Sequence, residues 1–92
     1  MQQNTKQGTV PEIDERAELG MGMLVAESDA GAYEPICAVI NIREAREVAA
    51  HNFRRRLADM QKGSEPMCPA RYVVWSRGTE GDYRIVAEIL PE

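Results

Sequence analysis

Residues 51–60 read HNFRRRLADM. Three successive arginines behind a histidine and a phenylalanine are residue types that bind phosphate or carboxylate oxygens, because a guanidinium presents paired N–H donors to them. Whether they form one patch depends on the element that carries them. On a helix turning about 100° per residue, with Ala45 set to zero, Arg54 falls near 180°, Arg55 near 280° and Arg56 near 20°. Three consecutive arginines therefore point apart. Arg56 lands on the shoulder of an apolar stripe formed by Ile42, Ala49, Phe53, Leu57 and Met60, where its stem packs while its head reaches water. Arg54, Arg55 and Lys62 stay within one broad outward sector and are the candidate contacts for an anionic partner. No aromatic side chain is interleaved there to stack a base. Arg43 with Glu47, Glu47 with His51 and Arg55 with Asp59 stand four apart, the spacing of local pairs on a solvated helix face. That solvated face is the favoured reading.

The other groups capable of chemistry are sparse. His51 is the single histidine, and Glu47 one turn away makes it a paired surface side chain rather than a general base. Ser28-Asp29 has the composition of a turn. Gly20 and Gly22 lack the third glycine and the following helix of a dinucleotide fingerprint. Glu12, Asp14 and Glu15 bring carboxylates together, but catalysis needs a held geometry and their segment does not promise one. Cys37 and Cys68 lie 31 positions apart without a CxxC pair, which is no zinc pattern, and both are expected to be buried, inert thiols. No catalytic residue, metal or cofactor is assigned. A concave site lined by Tyr33, Tyr72 or His51 would be needed to revive an enzymatic reading.

Ninety-two residues allow one domain with a thin core. The formal net charge of −4 argues against a general DNA coat or a polybasic membrane binder. Its distribution is uneven: residues 1–35 carry two basic and seven acidic side chains, residues 43–62 six and three. An acidic first third beside a basic middle could serve a partner or neutralise itself. No apolar run approaches the roughly 18 residues of a membrane span. The opening MQQNTKQGTVPE lacks the basic and apolar regions of a secretion signal, so a cytoplasmic address is expected.

The elements follow from periodicity and punctuation. Residues 1–10 read as a flexible tail and 11–92 as a single α+β domain. VPEIDERAELG could make a short acidic helix, and MGMLVAES a strand weakened by its glycines. ICAVINI, residues 36–42, has two apolar faces and is expected as an interior strand. It runs into a helix over 42–62, with Asn41 as N-cap, Glu44 three residues on, and Gly63 with Pro66 as the stop. ARYVVWSR and YRIVAEIL flank GTEGD as a hairpin, turning at Glu80-Gly81. The resulting fold class is a small ββαββ sheet of three or four strands, with the long helix on one face. Strands 36–42 and 70–77 are expected as parallel neighbours, which would bring the two cysteines close. No internal repeat is evident.

The hairpin register expected from a regular turn sets Tyr72 opposite Ile89, Val74 opposite Ala87, Trp75 opposite Val86 and Ser76 opposite Ile85. The core face then holds Tyr72, Val74, Tyr83, Ile85, Ala87 and Ile89. The other face holds Val73, Trp75 and Val86 with Arg71, Arg77, Arg84 and Glu88 around them. An apolar centre with a charged rim is the make-up of a contact surface, and Trp is a frequent anchor in one. Val73, Trp75, Arg77, Arg84 and Val86 are therefore the interface candidates, unless residues 10–27 fold across them. The expected function is that of a small bacterial-type interaction module whose partner is a second copy, giving a homodimer, or another protein. A nucleic-acid-associated accessory protein using Arg54, Arg55 and Lys62 is the alternative.

Overall fold

In the computed structural model, which describes residues 14–77 and 81–91, the chain runs β1 (Gly22–Glu27), β2 (Tyr33–Val39), α1 (Ile42–Gln61), β3 (Arg71–Arg77) and β4 (Tyr83–Ile89). The four strands form one antiparallel sheet in the order β2-β1-β3-β4. The architecture is the α+β ββαββ arrangement with its C-terminal hairpin. The tail expected over 1–10 lies outside the described residues. Among residues 14–20, of the expected acidic helix, there is only a turn, in which Asp14 accepts from the Ala17 and Arg16 backbone N–H groups at 3.1 and 3.0 Å.

The helix begins and ends where its signals stand. Asn41 is extended, and its Oδ1 accepts from the Glu44 N–H at 2.8 Å. Glu44 reaches back in turn and accepts from the Ile40 N–H at 2.7 Å, one residue before the cap. Gly63 takes φ +95 after the last turn.

Strand order reverses the expectation. The segment 36–42 is no interior strand: β2 starts earlier, at Tyr33, and lies at the sheet edge. The glycine-weakened segment β1 sits between β2 and β3, so those two are not neighbours and no crossover joins adjacent strands. Gly22 is what admits β1 to the centre, since a Cβ there would stand 2.6 Å from the Val39 carbonyl oxygen. Apolar content on both sides of 36–42 reflects a bulge rather than double cover: the register shifts between Leu24 and Val25, leaving Ile36 extra on β2. Pro35, which lacks an N–H, is tolerated because the strand is an edge.

The sheet repeats itself. Leu24 pairs with Cys37 and Val25 with Pro35, skipping Ile36. Fifty positions on, Val74 pairs with Ala87 and Trp75 with Ile85, skipping Val86. Leu24 and Val74 face each other, and the β1–β3 register is symmetric about that pair. The two hairpins are thus related by a pseudo-two-fold axis through the sheet centre. The sequence signal is small: Gly31-Ala32-Tyr33 matches Gly81-Asp82-Tyr83. Both glycines adopt positive φ, 84 and 93, where a side chain would be strained.

Ala45 and Ala49 of α1 join Leu24, Ala26, Val39, Tyr72, Val74 and Ile89 in one buried cluster. The seam of the helix is turned from the expected stripe. Ile42, Ala45, Ala49 and Arg56 are its buried residues, whereas Leu57 and Met60 are 40% and 45% exposed. The reason is a polar network. Arg56 donates through Nε to Asn52 Oδ1 at 2.7 Å, through Nη1 to the Met67 carbonyl at 2.9 Å, and through Nη2 to Glu34 Oε2 at 2.7 Å. The Tyr72 hydroxyl donates to the same Asn52 oxygen at 2.7 Å. Once a guanidinium is fully bonded it can occupy a seam that an isolated charge could not.

Candidate functional site

The face of the sheet opposite this network is built by strand alternation. Across the two central strands Met23 lies beside Trp75, and Val25 beside Val73. Pro35 and Ala38 flank them on β2, and Ile85 flanks Trp75 on β4. Val73 and Val25 are buried within this face, at 0% and 7% exposure, while Ile85 is 43% exposed. At one end Tyr33, Glu27 and Arg71 stand in a row; at the other stand Arg77 and Tyr83. Arg71 ties the first end together, donating to Glu27 Oε1 and Glu88 Oε2, each at 2.7 Å. Hydrogen bonds to those two carboxylates, Glu88 foremost, hold the Arg71 pKa above the ordinary arginine value.

The bulge corrects the expected membership of this face. Because Val86 is the extra residue, Trp75 meets Ile85 and Ser76 meets Arg84. Val86 packs against the core cluster, and Arg84 shares the side of Ser76, away from Trp75. Ile85 and Tyr83 replace them, although a regular hairpin would have put both in the core. Val73, Trp75 and Arg77 keep their places. A bulge is hard to read from sequence, but the Gly-x-Tyr pair preceding each edge strand was a usable sign that the hairpins share one irregularity.

The described part of the N-terminal segment does not cover this face. Leu19 donates its N–H to the Ile40 carbonyl at 2.7 Å and packs on the core cluster. Glu15 accepts from the Arg46 Nε at 2.9 and 3.0 Å, and its carbonyl accepts the Arg43 N–H at 2.9 Å. Residues 15–19 are thereby held at the start of α1. The Arg46 hydrogen bond lowers the Glu15 pKa, and the same bond raises that of Arg46.

The three arginines separate as the helical phase requires. Arg54 lines a groove of about 300 Å³ between α1 and β4, with Phe53, Tyr72 and Ile89. Arg55 lines a different concavity of about 280 Å³, toward β2, with Glu34, Asp59 and Met67. Arg56 is buried between them at 8% exposure, and Lys62 is exposed beyond the helix end. Tyr72 does border the first groove, but its hydroxyl is committed to Asn52. Neither Tyr33 nor His51 is among the residues lining it. Its charged lining is Arg46 and Arg54, which suits an anion better than proton abstraction. Cys37 is half-buried and Cys68 exposed, both unbonded, so only the first approaches the buried state expected of the pair. Among the described residues no helix is long and apolar enough to cross a membrane.

Comparison with known proteins returns no matching family model, no matching curated protein and no matching solved structure.

Proposed function

We propose that this chain is a small interaction module that self-associates through the Trp75 face of its sheet. The observation that carries the reading is the apolar block of Met23, Val25, Val73 and Trp75 on two central strands, flanked on β4 by the exposed Ile85 and Tyr83. Ile85 and Tyr83 leave apolar surface in water beside this block unless a second layer covers them. Sedimentation over a concentration series tests the reading. The wild type associates, and Trp75→Ala weakens association by about thirtyfold or more, the size expected of an anchor residue worth about 2 kcal/mol. Raising salt changes the association little, whereas binding to nucleic acid would weaken steeply. A wild type that stays monomeric at high concentration, or one that binds nucleic acid through Arg54, Arg55 and Lys62, overturns it.

A further inference from the structure

The apolar stripe of α1 is wider than its buried seam. Arg56 occupies the seam with Ile42, Ala45 and Ala49, and Phe53 beside them is only half-buried. Phe53 and Ala50 line the groove between α1 and β4 from the helix. Ile89, Leu90 and Pro91 line it from the end of the sheet. Leu90 is a large apolar side chain left exposed there.

The charge on this groove has one sign. Arg46 and Arg54 line it, and among the described residues no carboxylate does. Arg46 donates through Nε to both Glu15 oxygens, which offsets its charge. Arg54 is exposed and makes no ion pair among the described residues. Its guanidinium therefore keeps both its charge and its paired donors for something else. Two other concavities lack this combination. The one toward β2 sets Glu34 and Asp59 beside Arg55 and Arg56, so its charges are met from within. The one at the start of β1, between Leu19, Met21, Ile40 and Tyr83, is lined by no charged group.

An apolar cleft with one uncompensated cation fits a ligand of the matching arrangement, an apolar body carrying a single carboxylate. Inorganic phosphate would leave the walls unused, and a neutral hydrocarbon would leave Arg54 unused. The volume of about 300 Å³ holds roughly ten non-hydrogen atoms, taking for each the ~30 Å³ that a water molecule occupies in the liquid. We infer that the groove between α1 and β4 binds a small monocarboxylate, with its carboxylate on Arg54 and its apolar body between Phe53 and Leu90. The site lies on the helix side of the sheet and does not rest on the self-association reading.

Titration of the full chain with hydrocinnamate, followed by amide NMR, tests this. The amides of Ala49, Ala50, Phe53 and Ile89 should shift and saturate, with a dissociation constant on the order of 1 mM for a ligand of so few atoms. Hydrocinnamyl alcohol keeps the body without the charge and should bind about fivefold more weakly. Acetate keeps the charge without the body and should give no saturable shift over the same range. R54Q should weaken hydrocinnamate by about fivefold and leave the alcohol unchanged. R55Q removes the same charge from the other concavity and should bind as the wild type does. A50F fills the groove from an exposed position and should abolish binding. The proposal is overturned if hydrocinnamate leaves the groove amides unshifted, or if the alcohol or acetate matches it. Equal weakening by R54Q and R55Q also overturns it, since that marks general attraction to a basic helix. The comparison of the three ligands uses the wild type alone, so the outcome does not depend on any variant folding.

Discussion

The two faces of the sheet solve burial in opposite ways. On the helix side the contact is made by Ile42, Ala45 and Ala49, with Val48 and Phe53 packed beside them and Asn52, Arg56, Tyr72 and Glu34 completing it through hydrogen bonds. On the other side the bulky apolar residues of β1 and β3 lie against one another, with no element laid over them among the described residues. Apolar content alone thus does not indicate which face an element covers. The helix lies where small residues allow close approach and where a polar seam can be satisfied. On the opposite face Val25 and Val73 are buried, while Ile85 and Tyr83 beside them stay exposed.

The largest expected effect separates the buried cluster from the side of the helix. Leu24 is fully buried, so Leu24→Ala should cost about 2–5 kcal/mol in a denaturant titration. Leu57 lies on the same amphipathic helix but is 40% exposed, and Leu57→Ala should cost less than about 1 kcal/mol. Equal losses would mean that α1 is rotated onto the stripe read from periodicity. Trp75→Ala should fall nearer the Leu57 value in the monomer, its main effect being on association.

The polar seam comes next. Arg56→Ala removes donors to Asn52, Glu34 and the Met67 carbonyl and should cost about 2–3 kcal/mol, moderated because Glu34 is half-exposed and can regain water. Arg54→Ala and Arg55→Ala should stay within about 0.5 kcal/mol. A flat result across all three arginines would show that the seam contributes nothing net.

The Tyr72 hydroxyl contributes less than the Arg56 seam. Tyr72→Phe should cost about 1 kcal/mol near neutral pH, because Arg56 continues to satisfy Asn52. Burial raises the Tyr72 pKa above its ordinary value of 10.0, with the nearby Arg56 pulling the other way. The folded chain then holds this proton to higher pH than the unfolded chain does. Its contribution is complete below about pH 10 and is lost as pH rises toward the folded-state value. The wild type should therefore lose stability more steeply than Tyr72→Phe in alkaline titration, and parallel curves would contradict the burial.

Much of this protein was legible in its residues. Asn41, Glu44 and Gly63 delimit α1 because capping and left-handed geometry are local requirements. The outward divergence of Arg54 and Arg55 follows from helical phase alone, and the two-residue period of a strand sets Trp75 opposite Tyr72 and Val74. These are short-range constraints, decided within a few residues of the atoms concerned. Tertiary structure decided the rest. The place of β1 at the sheet centre depends on Gly22 meeting the Val39 backbone. The rotation of α1 depends on Arg56 finding Glu34 of β2 and the Met67 carbonyl before β3, with Asn52 of its own helix alongside. The exchange of Val86 and Arg84 for Ile85 and Tyr83 on the Trp75 face depends on one unpaired residue in β4, which reverses the alternation of everything before it in the strand.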